Sequence, residues 1–202
     1  MKTPDFFNRV PAVTLHDPLS EFLGSCEGGV VTYTYADAVK LAGHSCPTVA
    51  GAYLMTLKAL KALYGDRLPV RGDIRVELEA RADEGVAGVV AQVMTLITGA
   101  AAEGGFKGIA GRFERRGRLF FGCAIGAEAR LTRLDNGQSV TVDYHPAIVP
   151  ASPRQSALMQ KALSGAASAE ERAEFARLWQ ARVEAILCDY ADDPRLVTVR
   201  AL

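Results

Sequence analysis

Residues 43–64 read Gly-His-Ser-Cys-Pro-Thr-Val-Ala-Gly-Ala-Tyr-Leu-Met-Thr-Leu-Lys-Ala-Leu-Lys-Ala-Leu-Tyr, with Gly65 next. Apolar residues at Val49, Tyr53, Leu57, Leu60 and Tyr64 recur every three to four positions, the spacing of one face of an α-helix. Pro47 suits the first helical position, where its missing N–H is one the helix would not have used. Gly65, with Pro69 beyond it, supplies the stop. A helix over 47–64 makes Cys46 the N-cap, so its sulfur sits where free backbone N–H groups and the positive end of the helix dipole converge. Such a place favours a thiolate and suits a metal ligand or a nucleophile, and His44, two residues earlier, can share the pocket. The plainer alternative is a packed cysteine and a hydrogen-bonded histidine at a helix start.

Working outward, residues 71–81 alternate, with Ile74, Val76 and Leu78 to one side and Arg75, Glu77 and Glu79 to the other. That is a half-buried strand. Residues 85–102 contain no charged side chain, which reaches the minimum length of a membrane span. Gln92, Thr95, Thr98, the abundant Gly and Ala and the lack of an aromatic anchor fit a helix buried on nearly all sides instead. It runs from Asp83-Glu84-Gly85 to Gly99, and Gly88, Ala91 and Thr95 give it a face that lets another backbone approach. Strands are expected at 109–115, 118–123 and 138–144, with Arg116-Gly117 and Asn136-Gly137 as turn signals, and a further strand at 127–134.

Upstream, Asp17 and Pro18 start a short helix over 17–23 that Gly24 ends. A strand at 30–35 and a helical turn at 37–42 lead to the motif. After Pro150 the pattern becomes helical. One segment runs from Ser152-Pro153 to Gly165. Ser168 and Glu171 form a capping box for a helix with Phe175, Leu178, Trp179, Val183, Ile186 and Leu187 on its apolar face, and an edge strand at 195–201 closes the chain. The organisation is a single α+β domain over 1–202 with a mixed, mostly antiparallel sheet, its core at about 30–145 and C-terminal helices at about 150–190.

Hydrophobic residues make up 49% of the 202 residues and charged residues 23%, as in ordinary globular chains. Lys plus Arg equals Asp plus Glu at 23 each, so no strong field favours nucleic acid or an anionic membrane. Cys26, Cys46, Cys123 and Cys188 are widely spaced and form no C-x-x-C pair, which argues against a zinc ribbon or a redox dithiol. Residues 1–15 hold no apolar h-region, so no signal peptide is expected. A reduced, cytoplasmic setting fits this composition.

Gly43-His44-Ser45-Cys46-Pro47, the Ala-rich helix after it, and Val93-Met94-Thr95-Leu96-Ile97-Thr98-Gly99 with its glycine-rich sequel resemble the FmdE-like family, named for formylmethanofuran dehydrogenase, over roughly residues 37–123. The resemblance implies an α-β-α-β-β-β core and a metal site, zinc or another late first-row divalent ion, with His44 and Cys46 as the signature pair. Thr48 stands where the family has Gly. Glu84 and Ala100 stand near positions where it typically carries cysteines.

A structural zinc takes four protein ligands and a catalytic one three plus water, so distant residues have to join the pair. The candidates are His16, beside Asp17, and Glu84, although an acid at a helix start also serves as a cap. His145 is a weaker candidate, and Cys26, Cys123 and Cys188 read as core or surface thiols. Gly105-Phe106-Lys107-Gly108-Ile109-Ala110-Gly111 lacks the G-K-[ST] ending of a phosphate loop, yet Lys107 is placed to reach an anionic ligand. Arg112, Arg115, Arg116 and Arg118 read as the wet face of a strand and its turn. The expected protein is a zinc-binding FmdE-like homodimer, with no nucleic-acid or membrane partner, acting as an accessory or ligand-binding module for a molybdenum or tungsten redox system. The alternative is a metal-dependent or Cys46-based enzyme acting on a small molecule.

Overall fold

The computed structural model describes residues 2–202. In chain order the elements are β1 (Val13–His16), α1 (Pro18–Phe22), β2 (Val30–Tyr33), α2 (Tyr35–Ala42), α3 (Pro47–Tyr64), β3 (Ile74–Leu78), α4 (Ala87–Thr98), β4 (Leu119–Phe120), β5 (Ala129–Arg133), β6 (Ser139–Tyr144), α5 (Gln155–Leu163), α6 (Ala169–Glu184) and β7 (Val197–Ala201). The class is α+β. β1 and β2 pair antiparallel as a small separate sheet, and the main sheet has the order β4-β3-β5-β6-β7. In it β3 and β4 are parallel, joined by a crossover through α4, and the remaining neighbours are antiparallel. From α3 to β6 the elements run α-β-α-β-β-β.

Helix α3 is the centre of the molecule. Pro47 and the Cys46 cap start it, and Gly65 ends it with φ 60°. It packs on α4 and against β6 and β7, burying Val49, Tyr53, Leu54, Met55 and Leu60. Gly51 lets it approach the sheet, because a Cβ there would lie 2.2 Å from the Tyr144 ring. On β3, Ile74, Val76 and Leu78 point into this core. Glu77, on the other face, is also buried, because Arg130 forks its carboxylate with two bonds of 2.7 Å and Arg75 adds a third. The Arg130 hydrogen bonds hold that carboxyl below the usual glutamate range, against the opposing effect of burial.

Several expectations change. Residues 109–115 do not form a strand; they fold into a loop with one bridge between Ile109 and Arg112. Glycines cause this, since a Cβ at Gly108 would meet the Arg112 carbonyl oxygen at 2.3 Å, and Ala110 and Phe113 also take positive φ. The strand at 118–123 shrinks to Leu119–Phe120, which pair with Val76 and Glu77. The uncharged helix begins at Ala87 and is only partly enclosed: Gln92 is exposed, and Gly88, Ala91 and Thr95 line an open groove. β1 pairs with β2 over Val13–His16, a segment whose sequence carries only the sign of a non-apolar terminus. Among the described residues no helix is long and apolar enough to cross a membrane.

Candidate functional site

The motif occupies the link between α2 and α3. Gly43 closes α2 with φ 76°, a left-handed conformation that glycine adopts without penalty. The chain then turns so that successive side chains face different surroundings. His44 is exposed, and its Nδ1 lies 2.9 Å from the Ala42 carbonyl oxygen. A carbonyl only accepts, so Nδ1 donates to it, and in the neutral ring Nε2 is then the nitrogen with the lone pair. The Ser45 hydroxyl pairs with the Tyr35 hydroxyl at 2.9 Å. Cys46 is 8% exposed and caps α3, its Sγ accepting the Val49 N–H at 3.5 Å. The Tyr144 hydroxyl donates to the Pro47 carbonyl at 2.9 Å. Burial raises the pKa of the Tyr35 and Tyr144 hydroxyls above the usual tyrosine range, so both stay protonated.

Helix α6 is tied to this turn by two hydrogen bonds to one atom. The Ser45 carbonyl oxygen accepts both the Trp179 indole N–H at 3.0 Å and the Gln180 amide Nε2 at 3.1 Å. That contact fixes the Gln180 amide and leaves its Oε1 buried without a partner among the described residues. Between the motif and the α5–α6 pair lies a cavity of about 500 Å³, lined by His44, Ser45, Leu163, Phe175, Trp179 and Gln180 among others. Its walls are largely apolar. His44, Ser45 and Gln180 supply its polar groups, the composition usual for small-molecule sites.

The remaining candidates lie elsewhere. Cys46 is packed in the core and does not line the cavity. His16 is engaged through Nε2 with Glu21 Oε2 at 2.8 Å. Glu84 is exposed and accepts the Arg81 N–H at 3.3 Å, a local turn contact. Lys107 and His145 are exposed and do not line the cavity. Among the described residues no three His, Cys, Asp or Glu side chains are grouped so as to hold a metal ion. One chain therefore offers at most the His44–Cys46 pair, fewer than the three or four protein ligands zinc takes.

Trp179 and Gln180 line the cavity; helical periodicity gives Trp179 only as part of an apolar face and does not single out Gln180. The available signal is that Trp179 is the single tryptophan: a half-buried indole needs an acceptor for its N–H.

The fold and this site define an α+β protein with a small-molecule-sized cavity at a helix start. No protein-family model matches the chain, and no curated protein matches it.

Proposed function

We propose that the protein is an FmdE-like binding protein whose ligand occupies the cavity between the His44 turn and α5–α6. The observation that carries this reading is an apolar space of about 500 Å³ with the His44 imidazole on its wall. His44 Nε2 is an acceptor in the neutral ring, so the ligand is a small molecule with an apolar body and an N–H or O–H donor at one end. In keeping with the resemblance, the role is that of an accessory module to a molybdenum or tungsten redox enzyme in the cytoplasm, where the four free cysteines stay reduced. For a homodimer, the supporting feature is the groove of about 320 Å³ along α4, lined by Leu41, Gly88, Ala91, Thr95 and Leu96 among others.

Trp179 is a built-in reporter, being the single tryptophan and part of the cavity wall. Its emission is titrated with N-phenylnaphthylamine, a neutral aromatic amine of the stated class, in wild type, His44→Ala and Ala176→Phe, the last filling the cavity from its wall. Saturable quenching in wild type, lost in Ala176→Phe and weakened in His44→Ala, is the expected result. Quenching that Ala176→Phe leaves intact overturns the assignment. Elemental analysis of the same proteins beside Cys46→Ala tests zinc: about one ion per chain, lost with either His44 or Cys46, would make the metal part of this site.

A further inference from the structure

The far end of α4 carries a pocket of opposite chemistry, sharing no lining residue with the His44 cavity. Arg71 reaches the last carbonyls of the helix, donating from Nη2 to Leu96 at 3.0 Å and from Nε to Ile97 at 3.1 Å. That is where the dipole favours a cation. Its Nη1 donates to Asp17 Oδ2 at 2.9 Å, and Arg115 Nη2 donates to Asp17 Oδ1 at 2.6 Å. One buried carboxylate thus serves two guanidinium groups. The Arg115 side chain is only 8% exposed, and its Nη1 is buried without a partner among the described residues. Gly72 (φ 94°) makes this possible, because a Cβ there would lie 1.5 Å from Arg115 Nη1.

Toward solvent the excess of positive charge continues. Arg118 holds Asp73 through a single bond of 3.3 Å. Arg112 is exposed, lies 4.8 Å from the Phe113 ring centroid, and has no ion pair among the described residues. Arg71, Arg112, Arg115 and Arg118 line a cavity of about 290 Å³ in which the acids are Asp73 and Glu114, and Glu114 is already paired with Arg116 at 2.5 Å. Phe113, on the cavity wall, has φ 64°, a conformation a non-glycine residue holds only when its surroundings enforce it. Burial lowers the pKa of Arg115 from the usual arginine range, Asp17 opposes that shift, and the charges of Arg71 and Arg118 add to it.

We propose that this pocket binds a small oxyanion, the carboxylate or phosphate group of a small molecule, through Arg112 and Arg118 at its mouth, with the incompletely paired Arg115 beneath them. Arg71 and Asp17 form the frame. The planar guanidinium fork matches both oxyanions, and the cavity admits such a head group with a modest body.

The test is titration calorimetry at low ionic strength with inorganic phosphate and, separately, acetate, using sodium chloride of equal ionic strength as the control. The proteins are wild type, Arg112→Ala and Arg118→Ala. These variants spare the buried Asp17–Arg115 pair, and circular dichroism melts verify that they fold. The expected result is saturable binding in wild type that weakens about tenfold or more in each variant, as for a lost charged hydrogen bond. Tighter phosphate binding assigns a phosphorylated ligand and tighter acetate binding a carboxylic acid. No saturable heat with either anion, or equal affinity in wild type and both variants, overturns the proposal.

Discussion

The two ends of the central helix pair solve the same physical problem by opposite means. At the start of α3 the exposed backbone groups meet neutral partners: a thiol on the Val49 N–H, a phenol on the Pro47 carbonyl, and an indole and an amide on the Ser45 carbonyl. At the end of α4 the carbonyls of Leu96 and Ile97 meet the Arg71 guanidinium, and charge builds outward from there. The first solution leaves an apolar cavity with the His44 ring on its wall, and the second a polar pocket with spare donors. A helix end thus sets the chemistry of the nearby space through the kind of group recruited to satisfy it. The neutral end should be insensitive to pH and tolerant of conservative change, and the charged end neither.

The sharpest way to break that contrast is Asp17→Asn. Asparagine keeps the N-cap contacts to Leu19 and Ser20 but removes the carboxylate that the buried Arg115 and the half-buried Arg71 share. Removing one partner of a buried ion pair costs about 3–5 kcal/mol, read as a lower urea midpoint. Burial tends to raise the Asp17 pKa, but the Arg71 hydrogen bond and the Arg115 charge outweigh it and leave it below the usual 3.8. A carboxyl whose pKa is depressed by folding contributes stability above its unfolded value and loses it as pH falls through the folded one. The difference between wild type and Asp17→Asn should therefore be full at pH 6 and shrink below about pH 4. A difference independent of pH would show that the carboxylate charge is not what holds this end.

Next in size is Gly51→Ala, which probes the neutral end. Alanine is the better helix former by about 1 kcal/mol, so an open site would gain stability. Here the new Cβ would lie 2.2, 2.4 and 2.6 Å from three carbons of the Tyr144 ring, a flat group already tied to Pro47. Overpacking costs about 1–3 kcal/mol, so the expected outcome is a net loss in a thermal melt. A raised melting temperature would mean that Tyr144 moves freely, and with it the neutral anchor.

The same contrast explains what is legible in the chain. The α3 start is legible because a proline, a cap and an apolar stripe are local signatures, and so is β3, whose alternation survives with Glu77 covered by Arg130. The α+β class and the helices after residue 150 follow from such local cues. The cavity is not legible: its wall depends on Trp179 and Gln180 meeting Ser45 across 134 and 135 positions. Nor is the arginine pocket, whose frame joins Asp17 to Arg115 across 98 positions. The arginines at 112–118 look like the wet face of a strand because alternation carries through glycines that in fact turn the chain. Lys107 stands out as an anion contact for its glycine-rich setting, whereas the cation cluster forms one turn later in the same loop.

The smallest expected effect is also the most discriminating for the neutral end. Tyr144→Phe keeps the ring against Gly51 and deletes only the hydroxyl that donates to Pro47. As the first residue of α3, Pro47 also offers its carbonyl to the helix's own ladder, so no buried acceptor is orphaned and the loss is about 0.5–1.5 kcal/mol. Burial raises the pKa of this phenol, so its hydroxyl stays protonated through neutral pH. The loss from Tyr144→Phe should then be constant between about pH 4 and pH 8 in urea titrations, where that from Asp17→Asn also stays near its full value. Below about pH 4 the two must separate, Tyr144→Phe holding while Asp17→Asn fades. Parallel fading of both would mean that the α3 start depends on the charged frame at Asp17, and the two ends would have to be treated as one coupled unit.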